Sequence, residues 1–186
     1  MKFEDPFQSR ILDSNFITFM DLIDLPYEWN WKLLYRATRD GFQAKDFHLL
    51  CDRKSPTLVI LKTNTNGYVF GGYTEATWEG NEIQKCDPNA FIFSLTNGDN
   101  IPIKIKTSEP ELSIFCSPFC GPSFGSGEIH IEDNSNIKNQ FDSFSILCDV
   151  YKHPKFDYGT IDANSFLAGS SHFLLSEIEV LEKQFN

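Results

Sequence analysis

Apolar residues early in the chain recur at helical spacing and then change to strand-like runs. Phe16, Phe19, Met20 and Ile23 fall at i, i+3, i+4 and i+7, behind Asp13 and Ser14, either of which can cap a helix, and ahead of Pro26. This predicts an amphipathic helix over 14–25 whose stripe packs on the rest of the domain. Trp31 to Arg36 predicts a strand, Asp40-Gly41 a turn, and Ala44 to Leu50 a second short helix with Phe47 and Leu50 on one side. Thr57 to Lys62 is a continuous apolar run of strand length. Asn66-Gly67 then supplies a tight-turn signal before a strand over Tyr68 to Tyr73, and together they predict a hairpin.

Short strands are expected again at Phe91 to Leu95 and Ile101 to Lys106, joined by Asn97-Gly98-Asp99-Asn100, then at Ser113 to Cys116 and Glu128 to Glu132. Phe173 to Leu181 closes the series, alternating apolar and polar best at its end, as a half-buried strand does. Glycines Gly67, Gly71 and Gly72 interrupt aromatic strand residues, where the chain bends or meets a neighbouring backbone too closely for a Cβ. The fold class expected is mainly β (α+β): a β-sandwich of two antiparallel sheets with two or more small peripheral helices. Asp133 to Gln140, polar and Asn-rich, is expected to be the least structured stretch.

Composition bounds the picture. A chain of 186 residues with 15% aromatics, 18 of them Phe, is long enough to bury roughly 70% of its unfolded surface, so residues 1–186 are expected to form a single domain without staples. The formal charge is −10, and the 16 basic residues form no stripe, so phosphate backbones and anionic membranes are repelled. No segment approaches 18 consecutive apolar residues, and Met1 to Pro6 lacks the apolar core of a secretion signal. Five cysteines, an odd number, and the absence of any Asn-x-Ser/Thr acceptor point to reduced thiols in a cytoplasmic setting.

Several segments together carry a family resemblance. The run Leu33 to Phe42, then Phe47-His48 to Cys51, Pro56-Thr57-Leu58, Gly67-Tyr68-Val69-Phe70-Gly71-Gly72-Tyr73 and Trp78, followed by Phe124-Gly125-Ser126-Gly127, Cys148 and Ile178-Glu179-Val180, resembles the TLDc domain of the oxidation resistance proteins. The match runs over residues 10–183. The resemblance implies a β-sandwich with peripheral helices, an association with resistance to oxidative stress and, in several eukaryotic members, binding to the cytosolic sector of the vacuolar proton-pumping ATPase. It implies no catalytic residues.

Each possible reactive group has a plainer reading. Cys116-x-x-x-Cys120 with His130 is short of the four ligands that structural zinc takes, and reads as ordinary thiols. Gly121 to Gly127 lacks the Lys-Ser/Thr and the helix of a phosphate loop, and reads as a sharp connection between strands. Ser123, Ser126, His130 and Glu128 assemble on paper into a nucleophile, base and acid, but such lists arise by chance. His48 and His172 read as half-buried, hydrogen-bonded histidines, and Glu75, Glu79 and Glu82 as a solvated face. Glu132 to Asn136 offers oxygen ligands without the Gly and distal Glu of a calcium loop.

The expectation is therefore a non-enzymatic interaction module with a protein partner and no cofactor or metal, against the rivals of a hydrolase or redox enzyme with an unrecognised site or a cysteine-based redox sensor. Loops at one end of the sandwich are the candidate contact face. Phe124, Gly125 and Gly127 come from one loop and Glu75, Trp78 and Glu79 from another; Trp78 and Phe124 read either as aromatic anchors at the surface or, more plainly, as core residues.

Overall fold

The computed structural model describes residues 7–12, 15–26, 28–138 and 142–185. Asp13 and Ser14, Met1 to Pro6 and the last two residues of the Asp133 to Gln140 tract lie outside the described residues. Helix α1 spans Phe16–Ile23 and buries Phe19, Met20 and Ile23; Asp24 ends it in the left-handed region at φ 51°. Pro26 follows at the position where a helix cannot continue.

Strand β1 (Asn30–Arg36) runs into two short helices, α2 (Ala37–Asp40) and α3 (Ala44–Cys51). Strands β2 (Thr57–Thr63) and β3 (Val69–Thr74) form the expected hairpin, pairing from Thr57 with Thr74 to Lys62 with Val69. Gly67 takes its left-handed position in the connection at φ 66°. After β4 (Ile83–Lys85), strands β5 (Phe91–Thr96) and β6 (Ile103–Lys106) make a second hairpin, whose turn is held by Asn97 Oδ1 accepting from the Asp99 N–H at 3.1 Å. Strands β7 (Ile114–Cys116), β8 (Ser123–Phe124) and β9 (Ser143–Phe144), helix α4 (Ile161–Ser165), and strands β10 (His172–Phe173) and β11 (Leu175–Gln184) complete the described elements.

The strands form three antiparallel sheets: a six-stranded sheet in the order β1-β11-β2-β3-β5-β6, a three-stranded sheet β4-β7-β8 and the pair β9-β10. Apolar side chains cover both faces of the large sheet. Val59, Leu61, Phe70, Ile92 and Val180 join the core shared with Trp78, Ile114 and Phe124, while Leu58, Ile60, Phe91, Phe93 and Leu181 join a second core with Phe7, Leu12 and α1. This double burial is why β2 is an unbroken apolar run.

Three expectations need correction. Glu128 to Glu132 is not a strand; it makes single bridges from Ile129 to Phe124, His130 to Phe144 and Glu132 to Cys120. The closing strand is not half-solvated at its glutamates: Glu177 is 7% and Glu179 0% exposed, because Thr38 of α2 meets the first and Ser9, Arg10 and Arg36 meet the second. Glu179 accepts from the Ser9 hydroxyl at 2.5 Å, the Arg10 N–H at 2.9 Å and Arg36 Nε at 2.9 Å, so its charge is paired. Asp133 to Ser135 are pinned and not loose: Asp133 accepts from the Ala44 N–H at 2.7 Å, the Asn134 N–H donates to the Phe42 carbonyl at 3.0 Å, and the Ser135 carbonyl accepts from Leu175 at 2.9 Å.

Candidate functional site

The two candidate loops come together, through the core and not at the surface. Trp78 and Phe124 meet edge to face with centroids 5.6 Å apart, and they are 1% and 0% exposed. Trp78 Nε1–H donates to Thr57 Oγ1 at 2.9 Å, which satisfies the one polar atom of the buried indole. Of the two readings of these aromatics the core one holds and the surface-anchor one does not: both rings fill the space between the large and small sheets, out of a partner's reach.

Of the rest of Glu75 to Gly80, Glu75 and Gly80 are exposed, while Ala76, Thr77 and Glu79 are half-buried. Glu75 is exposed, accepting from the Tyr73 hydroxyl at 2.9 Å and from Asn89 at 2.8 Å. Glu79 pairs with Lys85 Nζ at 2.7 Å, and that contact holds its carboxyl below the usual range.

Around Gly121 to Gly127 the backbone donors are already used. The N–H groups of Gly121, Phe124 and Gly125 donate to the carbonyls of Ile131, Ile129 and Ser113, and Ser126 N–H donates to Glu128 Oε2 at 3.0 Å. The segment is a strand connection with none of these N–H groups turned toward a phosphate. Glu128 organises it: the buried carboxylate also accepts from the N–H groups of Asp149 and Tyr151, each at 3.0 Å, and from Val150. Burial pushes its pKa up while these backbone donors pull it down. Gly125 is at φ 70°, and a Cβ there would collide with the Glu128 carboxylate.

A pocket of about 220 Å³ opens beside this connection, lined by Ser123, Ser126, His130 and Phe144 among others. Ser123 Oγ lies 3.3 Å from His130 Nδ1, and His130 Nε2 lies 3.2 Å from Glu132 Oε1. The acid that meets the imidazole is thus Glu132. Glu128, the acid expected from sequence, is committed to backbone donors, and sequence reasoning missed Glu132 because only the folded bridge pairs it with the ring. Burial pushes the His130 pKa down, against the pull of Glu132, so the imidazole is favoured in its neutral form. Ser123 is 1% exposed and its hydroxyl also reaches the Gly121 carbonyl at 3.4 Å.

The remaining candidates separate. Cys116 and Cys120 each contact a carbonyl, of Thr77 and Ser117, at 3.9 Å, while His130 turns to Ser123 and Glu132. Among the described residues no three His, Cys, Asp or Glu side chains converge as metal ligands. Burial pushes up the thiol pKa of Cys51, Cys116, Cys120 and Cys148, the opposite of an activated thiol. His48 is held as expected, with Nδ1 2.7 Å from Asp52 and Nε2 2.8 Å from the Ser117 carbonyl, whereas His172 is exposed. Among the described residues no helix is long and apolar enough to cross a membrane.

The chain is similar over part of its length to the MTOR-associated protein MEAK7 of several vertebrates: 35% identical over 68 residues in Gallus gallus, 29% over 96 residues in Xenopus laevis and 29% over 65 residues in Danio rerio. Those matches take in 35% to 45% of this chain and 14% to 20% of the relatives' length, so the chain corresponds to a minor part of those proteins. A model of the TLDc domain matches residues 6–182, nearly the whole sequence. The chain belongs to the TLDc domain family.

Proposed function

We propose that this TLDc domain is a non-enzymatic, regulatory protein-interaction module working in the cytoplasm. The observation that carries this reading is the TLDc domain match over residues 6–182 of an acidic chain, on which Leu49 and Ile161, each 84% exposed, offer apolar contact points. Membership of the TLDc family supports the cytosolic sector of the vacuolar proton-pumping ATPase as a partner and a role in oxidative-stress resistance. The similarity to an MTOR-associated protein supports a signalling context. An affinity-tagged domain incubated with purified pump sector, and separately with the MTOR kinase complex, tests it: stoichiometric recovery of either supports the module, and recovery of neither overturns this choice of partners.

A second reading is favoured by one geometric observation, the Ser123–His130–Glu132 series beside the 220 Å³ pocket. In a hydrolase, His130 Nδ1 would take the Ser123 proton as Oγ attacks an acyl carbonyl, while Glu132 holds the Nε2–H. A fluorophosphonate probe decides this. Labelling of the native protein that Ser123→Ala abolishes supports an acyl-transfer site, and no labelling overturns it.

A further inference from the structure

A different cleft, of about 470 Å³, opens where the β2–β3 and β5–β6 hairpins turn beside the segment that leads into α4. Its lining joins Tyr68 and Asp99 from the two turns to Lys155, Phe156, Asp162 and Phe166. The aromatic part is rigidly built: His153 stacks on Phe156 at 4.5 Å, and both rings pack on Phe166, at 4.6 Å and 5.6 Å. The polar part is unsatisfied. Asp99 and Asp162 are exposed, and neither carboxylate makes a hydrogen bond or ion pair among the described residues. Three large apolar side chains stand beside these residues in the chain: Ile101, Tyr158 and Ile161, which are 57%, 62% and 84% exposed.

Aromatic faces flanked by carboxylates recognise a flat, weakly hydrated cation. A guanidinium stacks on the rings and gives its forked N–H groups to the acids, which a compact ammonium does less well. The overall charge of −10 draws a basic partner toward such a cleft. We propose that this cleft takes an arginine side chain of a partner protein, on a segment whose neighbouring apolar residues pack on Ile101, Tyr158 and Ile161. The proposal rests on the interaction-module reading and names the chemistry of its contact. Among the described residues Lys155 is the one cation lining the cleft, and it opposes the ligand.

The test is an NMR titration of the 15N-labelled domain with the blocked peptides acetyl-Leu-Arg-Leu-amide, acetyl-Leu-Lys-Leu-amide and acetyl-Leu-Gln-Leu-amide. The arginine peptide is expected to shift signals confined to the turn at Tyr68 and to residues 97–101 and 153–169. Its affinity should exceed that of the glutamine peptide at least five-fold, with lysine between. Asp99→Asn combined with Asp162→Asn should remove most of this preference, and Lys155→Met should strengthen binding. All three substitutions are at exposed positions, and an unchanged spectrum elsewhere confirms folding. Equal binding of the arginine and glutamine peptides, shifts elsewhere, or indifference to the aspartate changes overturns the assignment. If a partner is recovered equally by the native and doubly substituted domains, the cleft assignment fails and the module reading stands. If the peptide binds while neither candidate assembly is recovered, the choice of partners fails and the cleft stands.

Discussion

The ring of Phe124 occupies the place where a side chain at Gly72 would begin: a Cβ built there falls 2.6 Å from two of its carbons. Gly72 joins β3 to the small sheet by having nothing beyond its Cα, and close approach, not an unusual dihedral angle, is the reason. Gly72→Val is therefore expected to destabilise by roughly 1–3 kcal/mol through overpacking. Urea melts compare the two proteins, and a change under about 0.5 kcal/mol, the usual surface value, would show that the ring moves aside freely. Gly71 is tighter still, since a Cβ there collides with the Val59 carbonyl oxygen.

Phe124→Ala should cost about 3–5 kcal/mol, the range for emptying a buried aromatic site. Thermal melts read the loss directly. A surface anchor would show almost none.

Glu128→Gln keeps the shape and replaces one acceptor oxygen by a donor that faces N–H groups. The buried carboxylate holds Ser126 to the 149–151 segment, so the expected loss is about 1–3 kcal/mol. The amides of Ser126, Asp149 and Tyr151 should also lose hydrogen-exchange protection. Unchanged exchange at these three would refute the role.

Stability should fall on mild acidification. Burial holds the pKa of His130 and His153 below the usual imidazole value near 6.5, with Glu132 opposing it at the first and Lys155 adding to it at the second, where Asp99 opposes. The unfolded chain therefore binds the proton more readily. The stability these histidines contribute is present above about pH 6.5 and is lost as pH drops below it. Chemical denaturation at pH 7.5 and 5.5 measures the fall, which His130→Gln combined with His153→Gln should reduce. Equal stability at the two pH values would contradict it.

Five thiols should titrate in denaturant without reductant, and Cys86, the exposed one, should react first in the native protein. Elemental analysis should find no stoichiometric zinc. Fewer than five thiols, or bound metal, would overturn this.

The elements legible in the sequence are those built from neighbours in the chain. The stripe of α1 and the two hairpins follow from spacing and turn residues that act over fewer than twenty positions. Trp78 and Phe124 were ambiguous because an aromatic beside glycine and acid looks the same on a surface as under a second sheet. Glu177 and Glu179 read as solvent-facing because nothing local shows that Ser9, Arg10, Arg36 and Thr38, more than 130 residues away, come to meet them. The arginine cleft left no local mark either, since Tyr68, Asp99 and Phe156 meet only when three distant turns converge.

Strand order also governs when the domain can be completed during synthesis. β11 follows every other described strand in the chain yet pairs with β1 on one side and β2 on the other. A nascent chain lacking its final strand carries two unmatched sheet edges, together with an Arg36 whose carboxylate partner has not been translated. The central sheet thus closes only after the ribosome has delivered residues 175–184, a high-contact-order route that folds slowly and leaves the shorter nascent chain in need of protection from aggregation.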